Sequence, residues 1–119
     1  MRVWIGTSGY NYPEWKGSFY PRELRSADML GYYSSRFDTV EINNTFYRMP
    51  QPAALSGWVQ ATPEDFRLTL KAPQAITHRA RLRNCAEPLV HLSRSGIPEC
   101  CQKLSWTFNC RRRVLLIVA

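Results

Sequence analysis

The sequence predicts an α/β fold built on parallel strands, and three observations carry that expectation. Short segments dominated by β-branched and aromatic residues stand at 2–7 (Arg-Val-Trp-Ile-Gly-Thr), 39–43 (Thr-Val-Glu-Ile-Asn) and 66–71 (Phe-Arg-Leu-Thr-Leu-Lys), the composition of half-buried pleated strands. The intervals between them hold amphipathic stretches long enough for helical crossovers, the connection that parallel neighbours need. The strand starts lie 37 and 27 residues apart, close to the roughly 31 residues per unit of a (β/α)8 barrel of about 250 residues. A doubly wound sheet has similar spacing, so periodicity leaves both architectures open.

The elements follow in order. After the first strand comes a polar, aromatic loop, and then Leu24, Ala27, Leu30, Tyr33 and Phe37 recur at three- and four-residue spacing. That stripe predicts a helix from Pro21 to about Phe37, with Pro21 in the first turn where a missing N–H is harmless. Pro52 opens a shorter helix whose Leu55, Trp58 and Val59 share a face, and Thr62-Pro63-Glu64-Asp65 supplies the turn into the third strand. From Val90 to Cys110 neither a helical stripe nor strand alternation is sustained, and Arg111-Arg112-Arg113 then runs into Val-Leu-Leu-Ile-Val-Ala. Residues 114–118 read either as a further buried strand of a parallel sheet or, together with 90–113, as a tail outside the fold. Pattern alone leaves both readings open.

Composition narrows the function classes. A chain of 119 residues with 45% hydrophobic and 13% aromatic residues has apolar surface to bury, which excludes a disordered polar tail. No run approaches the roughly 20 apolar residues of a membrane span, and the first residues lack a signal-peptide core, so the expected location is the cytoplasm. The formal net charge is +7, unevenly distributed. Residues 1–66 carry six Lys or Arg against seven Asp or Glu, whereas 67–119 carry ten against two. That asymmetry admits nucleic-acid or polyanion binding through Arg79, Arg81, Arg83, Lys103 and Arg111–Arg113 as an alternative function. No interleaved aromatic-basic motif accompanies it, which weighs against nucleic acid. Adjacent Cys100 and Cys101 do not fit the spacing of a zinc site, and Gly6 with Gly9 does not make a dinucleotide fingerprint. No metal and no cofactor is assigned.

Two stretches resemble the YecE-like family, the domain of unknown function 72. The first is Ile5-Gly6-Thr7-Ser8-Gly9-Tyr10, continuing Asn11-Tyr12-Pro13-Glu14-Trp15-Lys16-Gly17-Ser18-Phe19-Tyr20-Pro21. The second is Phe37-Asp38-Thr39-Val40-Glu41-Ile42-Asn43-Asn44-Thr45-Phe46-Tyr47-Arg48-Met49-Pro50. A third match runs from Asp65-Phe66 through Leu70-Lys71-Ala72-Pro73 to Ile76-Thr77-His78. The resemblance covers residues 3 to about 89 and implies a TIM-type (β/α)8 barrel. On that reading the chain is an incomplete barrel of about three βα units, occupying 1–89. Residues 90–119 then form a tail that departs from the family pattern, as a frameshift or aberrant splice after about residue 90 would produce. Three strands of eight cannot close a barrel and would leave sheet edges and apolar surface exposed. The family carries no established activity. What the resemblance implies is a parent protein that is a small-molecule enzyme with a polar pocket at the C-terminal face of its strands. The fragment alone would be inactive, because most loops of the pocket would be missing.

Strand alternation selects the candidate residues. Val40, Ile42, Leu68 and Leu70 share one face and belong against the helices, which sends Glu41, Asn43, Thr69 and Lys71 to the other, interior face. Asn43 and Lys71 stand at the C-terminal ends of their strands, where barrel enzymes keep their sites. Ser8, with Tyr10, Tyr12 and Trp15 of the first loop and Thr45, Tyr47 and Arg48 of the second, would line the same mouth as substrate-binding residues. Glu41 and Lys71 are candidate catalytic residues, because a carboxylate and an amine in one pocket serve as base and acid or hold an anion. His78, following the third strand, is a third candidate for proton transfer near neutral pH. A competing reading makes Glu41 with Lys71 or Arg67 an interior salt-bridge layer that only satisfies buried charge. The residues around Ser8 do not form a nucleophile elbow.

Overall fold

A computed structural model describes residues 3–75, 104–107 and 117–118 of the chain. Its centre is a four-stranded sheet of β2 (Gly6–Ser8), β3 (Thr39–Ile42), β4 (Arg67–Lys71) and β5 (Leu104–Thr107), in that order and parallel throughout. A separate two-residue ladder pairs β1 (Val3–Trp4) antiparallel with β6 (Ile117–Val118). Among the described residues, α1 (Met29–Ser34) lies between β2 and β3, and α2 (Pro52–Gln60) between β3 and β4. The expected α/β class with parallel strands holds.

The predicted division of faces holds as well. Val40, Ile42, Leu68 and Leu70 are buried in one cluster with Tyr20, Met29, Leu30, Tyr33 and Leu55 of α2. Trp58 and Val59 pack against the same cluster, as their helical spacing predicted. β3 is buried along its whole length. A strand covered on both sides needs partners for its polar face, and here that face carries Thr39 and Glu41.

Several boundaries differ from expectation. The segment 2–7 is two strands, broken at the exposed Ile5, where the chain passes from an antiparallel neighbour to a parallel one. The long helix expected from Pro21 is shorter. Arg25 has extended backbone, a 3-10 turn spans Ser26–Asp28, and α-helical geometry starts at Met29. The three-residue period of a 3-10 turn shifts the phase of the stripe, so Ala27 is exposed while Met29 is buried. A fourth parallel strand, β5, lies within the region 90–110 that showed no strand pattern. Its partner is the edge of β4, remote in sequence. Ile117–Val118 pairs antiparallel rather than joining the parallel sheet.

Tyr33 fastens β2 to β3 from the helix side. Its buried hydroxyl accepts the Thr7 backbone N–H at 2.7 Å and donates to the Thr39 carbonyl at 3.1 Å. The two strands also approach closely at Gly6, where a Cβ would overlap the Thr39 carbonyl. Around Tyr33 the aromatic loop collapses onto α1. Tyr33 stacks on Phe37 with centroids 4.9 Å apart, and Phe19 meets Tyr20 edge-on at 4.8 Å, contacts that add to the apolar burial itself.

Gly6→Ala is expected to destabilise the chain by about 3 kcal/mol or more, since the obstruction is backbone, and urea unfolding measures it. Tyr33→Phe removes the hydroxyl's contacts with the Thr7 N–H, the Thr7 hydroxyl and the Thr39 carbonyl and should cost about 2 kcal/mol. Alkaline pH acts on the same cluster. Burial raises the Tyr10 and Tyr33 phenols, the Thr7 hydrogen bonds only partly offsetting the latter, and it pushes Tyr20 up to about 12, helped by Tyr33 and Tyr10. The unfolded chain loses phenolic protons near pH 10, before the folded chain does. The stabilisation from these phenols is therefore complete below pH 10 and lost as pH rises toward 12. Phenolate absorbance should rise together with unfolding in that window.

Candidate functional site

Register builds the site. Ser8 stands opposite Glu41, Glu41 opposite Thr69, and Thr69 opposite Ser105, one polar row across four strands. One step on, Lys71 stands opposite Thr107, and Asn43, the residue after β3, comes level with Lys71. The side chains of Ser8, Glu41, Asn43 and Lys71 meet. The Ser8 hydroxyl lies 2.7 Å from Glu41 Oε2 and 3.1 Å from Asn43 Oδ1. Lys71 Nζ donates to Asn43 Oδ1 at 3.0 Å and lies 3.7 Å from Glu41 Oε2. The Glu41 side chain is 6% exposed and that of Lys71 27%, so the pair joins a buried carboxylate to an amine that still reaches solvent.

The backbone above this cluster is held by its own bonds. The Gly9 N–H donates to the Glu41 carbonyl at 2.8 Å, extending the β2–β3 pairing by one residue. Gly9 has φ +85°, and a Cβ there would meet the Tyr12 hydroxyl at 2.5 Å, so both conformation and space require glycine. The Tyr12 hydroxyl donates to the Ser8 carbonyl at 2.5 Å, and its ring lies 4.8 Å from that of Trp15. The Thr45 hydroxyl contacts the Ile42 carbonyl at 3.0 Å and the Lys71 carbonyl at 2.8 Å, tying the loop after β3 to the end of β4.

Beside the cluster opens a cleft of about 360 Å³, lined by residues 9–12, residues 42–44 and Trp58. Of the residues singled out in the sequence, Tyr10, Tyr12 and Asn43 line this cleft, and Ser8, Glu41 and Lys71 lie behind Asn43. Trp15 packs into the aromatic loop against Tyr12, Phe19 and Tyr20. Thr45 is fully buried in its backbone contacts, while Tyr47, 74% exposed, sits edge-on to Phe46 and Arg48 faces solvent. His78 and the basic residues Arg79, Arg81, Arg83, Lys103 and Arg111–Arg113 lie outside the described residues. Asn11, Asn44 and Trp58 were not singled out. Trp58 carried only a helix-packing signal, whereas the two asparagines adjoin chosen residues. Among the described residues, no group of His, Cys, Asp and Glu could hold a metal ion.

The family model for the protein of unknown function DUF72 matches residues 4–108. The chain belongs to the DUF72 family. It is 32% identical over 83 residues to the UPF0759 protein YecE of Escherichia coli, which covers 70% of this chain and 28% of that protein. Against the UPF0759 protein YunF of Bacillus subtilis it is 34% identical over 79 residues, 66% of this chain and 27% of the relative. A crystal structure of a DUF72 family protein from Thermotoga maritima superposes with a TM-score of 0.71 at 32% identity, covering 86% of this chain and 41% of that one. The chain thus spans less than a third of the length of these two UPF0759 relatives. The DUF72 match also runs past residue 89, where the segments recognised in the sequence end, and takes in β5.

Ser8→Ala removes a donor from a carboxylate with almost no access to water. We expect a loss of about 2 kcal/mol, typical of a hydrogen bond to a charged group. Urea unfolding of the variant beside the parent chain measures it, and an unchanged midpoint would contradict the assigned geometry.

Proposed function

We propose that this DUF72 chain forms one sector of a TIM-type barrel and supplies part of a small-molecule pocket at the C-terminal ends of its strands. The observation that carries the reading is the Ser8–Glu41–Asn43–Lys71 cluster beside an aromatic-walled cleft. Charged and amide groups converge there from three parallel strand ends, the position where such sheets place their ligands. In this reading Glu41 and Lys71 are the proton-accepting and proton-donating pair, oriented by Ser8 and Asn43. The whole protein's remaining groups would come from strands outside the stretch that matches the relatives. The chain by itself would bind rather than turn over, since a partial pocket does not pre-organise a transition state. No helix among the described residues is long and apolar enough to cross a membrane, and a cytoplasmic location belongs to the proposal.

The salt-bridge layer is the competing account, and the two separate by experiment. A panel of small sugars, polyols, hydroxy acids and phosphorylated compounds is screened for a shift in the thermal midpoint of the chain. A ligand at 100 times its Kd stabilises by about 2.7 kcal/mol. We expect at least one class to raise the midpoint, and Glu41→Gln and Lys71→Met to keep the far-UV spectrum while abolishing that rise. Variants that lose stability without changing any ligand response would assign the cluster to structure alone.

A further inference from the structure

One turn grips Lys71 at both ends. The 3-10 turn Asn44–Phe46 follows β3 and is closed by the Phe46 N–H, which donates to the Asn43 carbonyl at 3.0 Å. At the start of that turn Asn43 Oδ1 accepts from Lys71 Nζ at 3.0 Å. Two residues on, the Thr45 hydroxyl lies 2.8 Å from the Lys71 carbonyl. Carbonyl and amine are the root and the tip of one residue. A four-carbon stem loses rotamer freedom when its tip is held, so the tip stays on its acceptor only if that acceptor waits at a fixed distance from the root. The Thr45 contact sets the distance.

Burial removes Thr45 from the direct binding role its sequence position suggested. It is 1% exposed, so it acts on a ligand only through a neighbour. Its 3.0 Å contact with the Ile42 carbonyl is the local bond that a threonine makes three residues back along the chain. The contact with Lys71 spans 26 residues of sequence, and local turn chemistry does not account for it. Asn43 and Asn44 also line the cleft, so the turn that grips Lys71 belongs to the cleft as well. Resting on the small-molecule reading above, we infer that Thr45 is a positioning residue for Lys71, holding the end of β4 against the turn so that the amine stays on Asn43 beside the cleft.

Amine labelling of the 119-residue chain tests this without a ligand, so its outcome is independent of the screen that tests the pocket. The chain has three lysines, Lys16, Lys71 and Lys103, and the exposed Lys16 is the internal reference. Acetylation by an N-hydroxysuccinimide ester, read peptide by peptide in a mass spectrometer, should be slower at Lys71 than at Lys16. Thr45→Val, close in shape but without the hydroxyl, should raise the Lys71 rate relative to Lys16 by about tenfold, the factor one hydrogen bond can carry. Thr45→Ser should keep the parent ratio. Asn43→Ala should raise it too, freeing the amine while the carbonyl stays held. A lower urea midpoint for Thr45→Val with the ratio unchanged would overturn the inference and leave Thr45 a residue of packing alone. If Thr45→Val does not fold, the parent chain and Asn43→Ala still decide. Lys71 labelled as fast as Lys16 in the parent chain, or no faster in Asn43→Ala than in the parent, would overturn the inference as well.

Discussion

The Glu41 carboxylate is the constraint around which this fold is arranged. It sits on a strand buried along its length, in a sheet whose opposite face is the apolar core. A charge placed there demands partners, because an unpaired buried carboxylate is strongly unfavourable. Parallel register supplies them: Ser8 arrives level with Glu41 from one side, and Lys71 comes one step beyond it from the other. Shifting β4 by one residue would put Leu68 or Leu70 opposite Glu41, and shifting β2 would put Thr7 or Gly9 there in place of Ser8. Burial of Glu41 thus selects the register, and the register in turn brings Asn43 level with Lys71.

The two faces of the sheet do different work. On the helix side, Tyr33 bonds to both β2 and β3 and sets how closely they approach. On the other side the same approach brings Ser8 within 2.7 Å of Glu41. A glycine at position 6 permits the contact, and a glycine at position 9 lets the chain turn away over the Tyr12 hydroxyl. Core packing and site geometry are therefore coupled through β2. A change in the aromatic core that moves this strand also moves the Ser8 hydroxyl.

Much of this is legible in the sequence, for a definite reason. Strand alternation has a period of two, so four residues of Thr-Val-Glu-Ile are enough to separate Glu41 from Val40 and Ile42. The grouping of Ser8, Glu41, Asn43 and Lys71 follows once the strands are placed parallel. What is not legible depends on paths rather than periods. Asn11 and Asn44 reach the cleft through loop conformation, and Trp58 combines a core contact with a cleft wall that helical spacing alone does not distinguish. The start of α1 is not legible because Leu24 and Ala27 continue the stripe in sequence while the backbone at Arg25 is extended. β5 is not legible because its pairing is with the edge of β4, remote in sequence.

If Glu41 and Lys71 sense each other as described, their effects on stability are coupled. A double-mutant cycle of Glu41→Gln and Lys71→Met, read by urea unfolding, measures that coupling directly. Lys71 keeps partial contact with solvent, which screens the pair below the value of a fully buried one. The predicted coupling is about 1 kcal/mol, with Lys71→Met less damaging in the Glu41→Gln background than alone. Additivity of the two substitutions to within a few tenths of a kcal/mol would contradict the account.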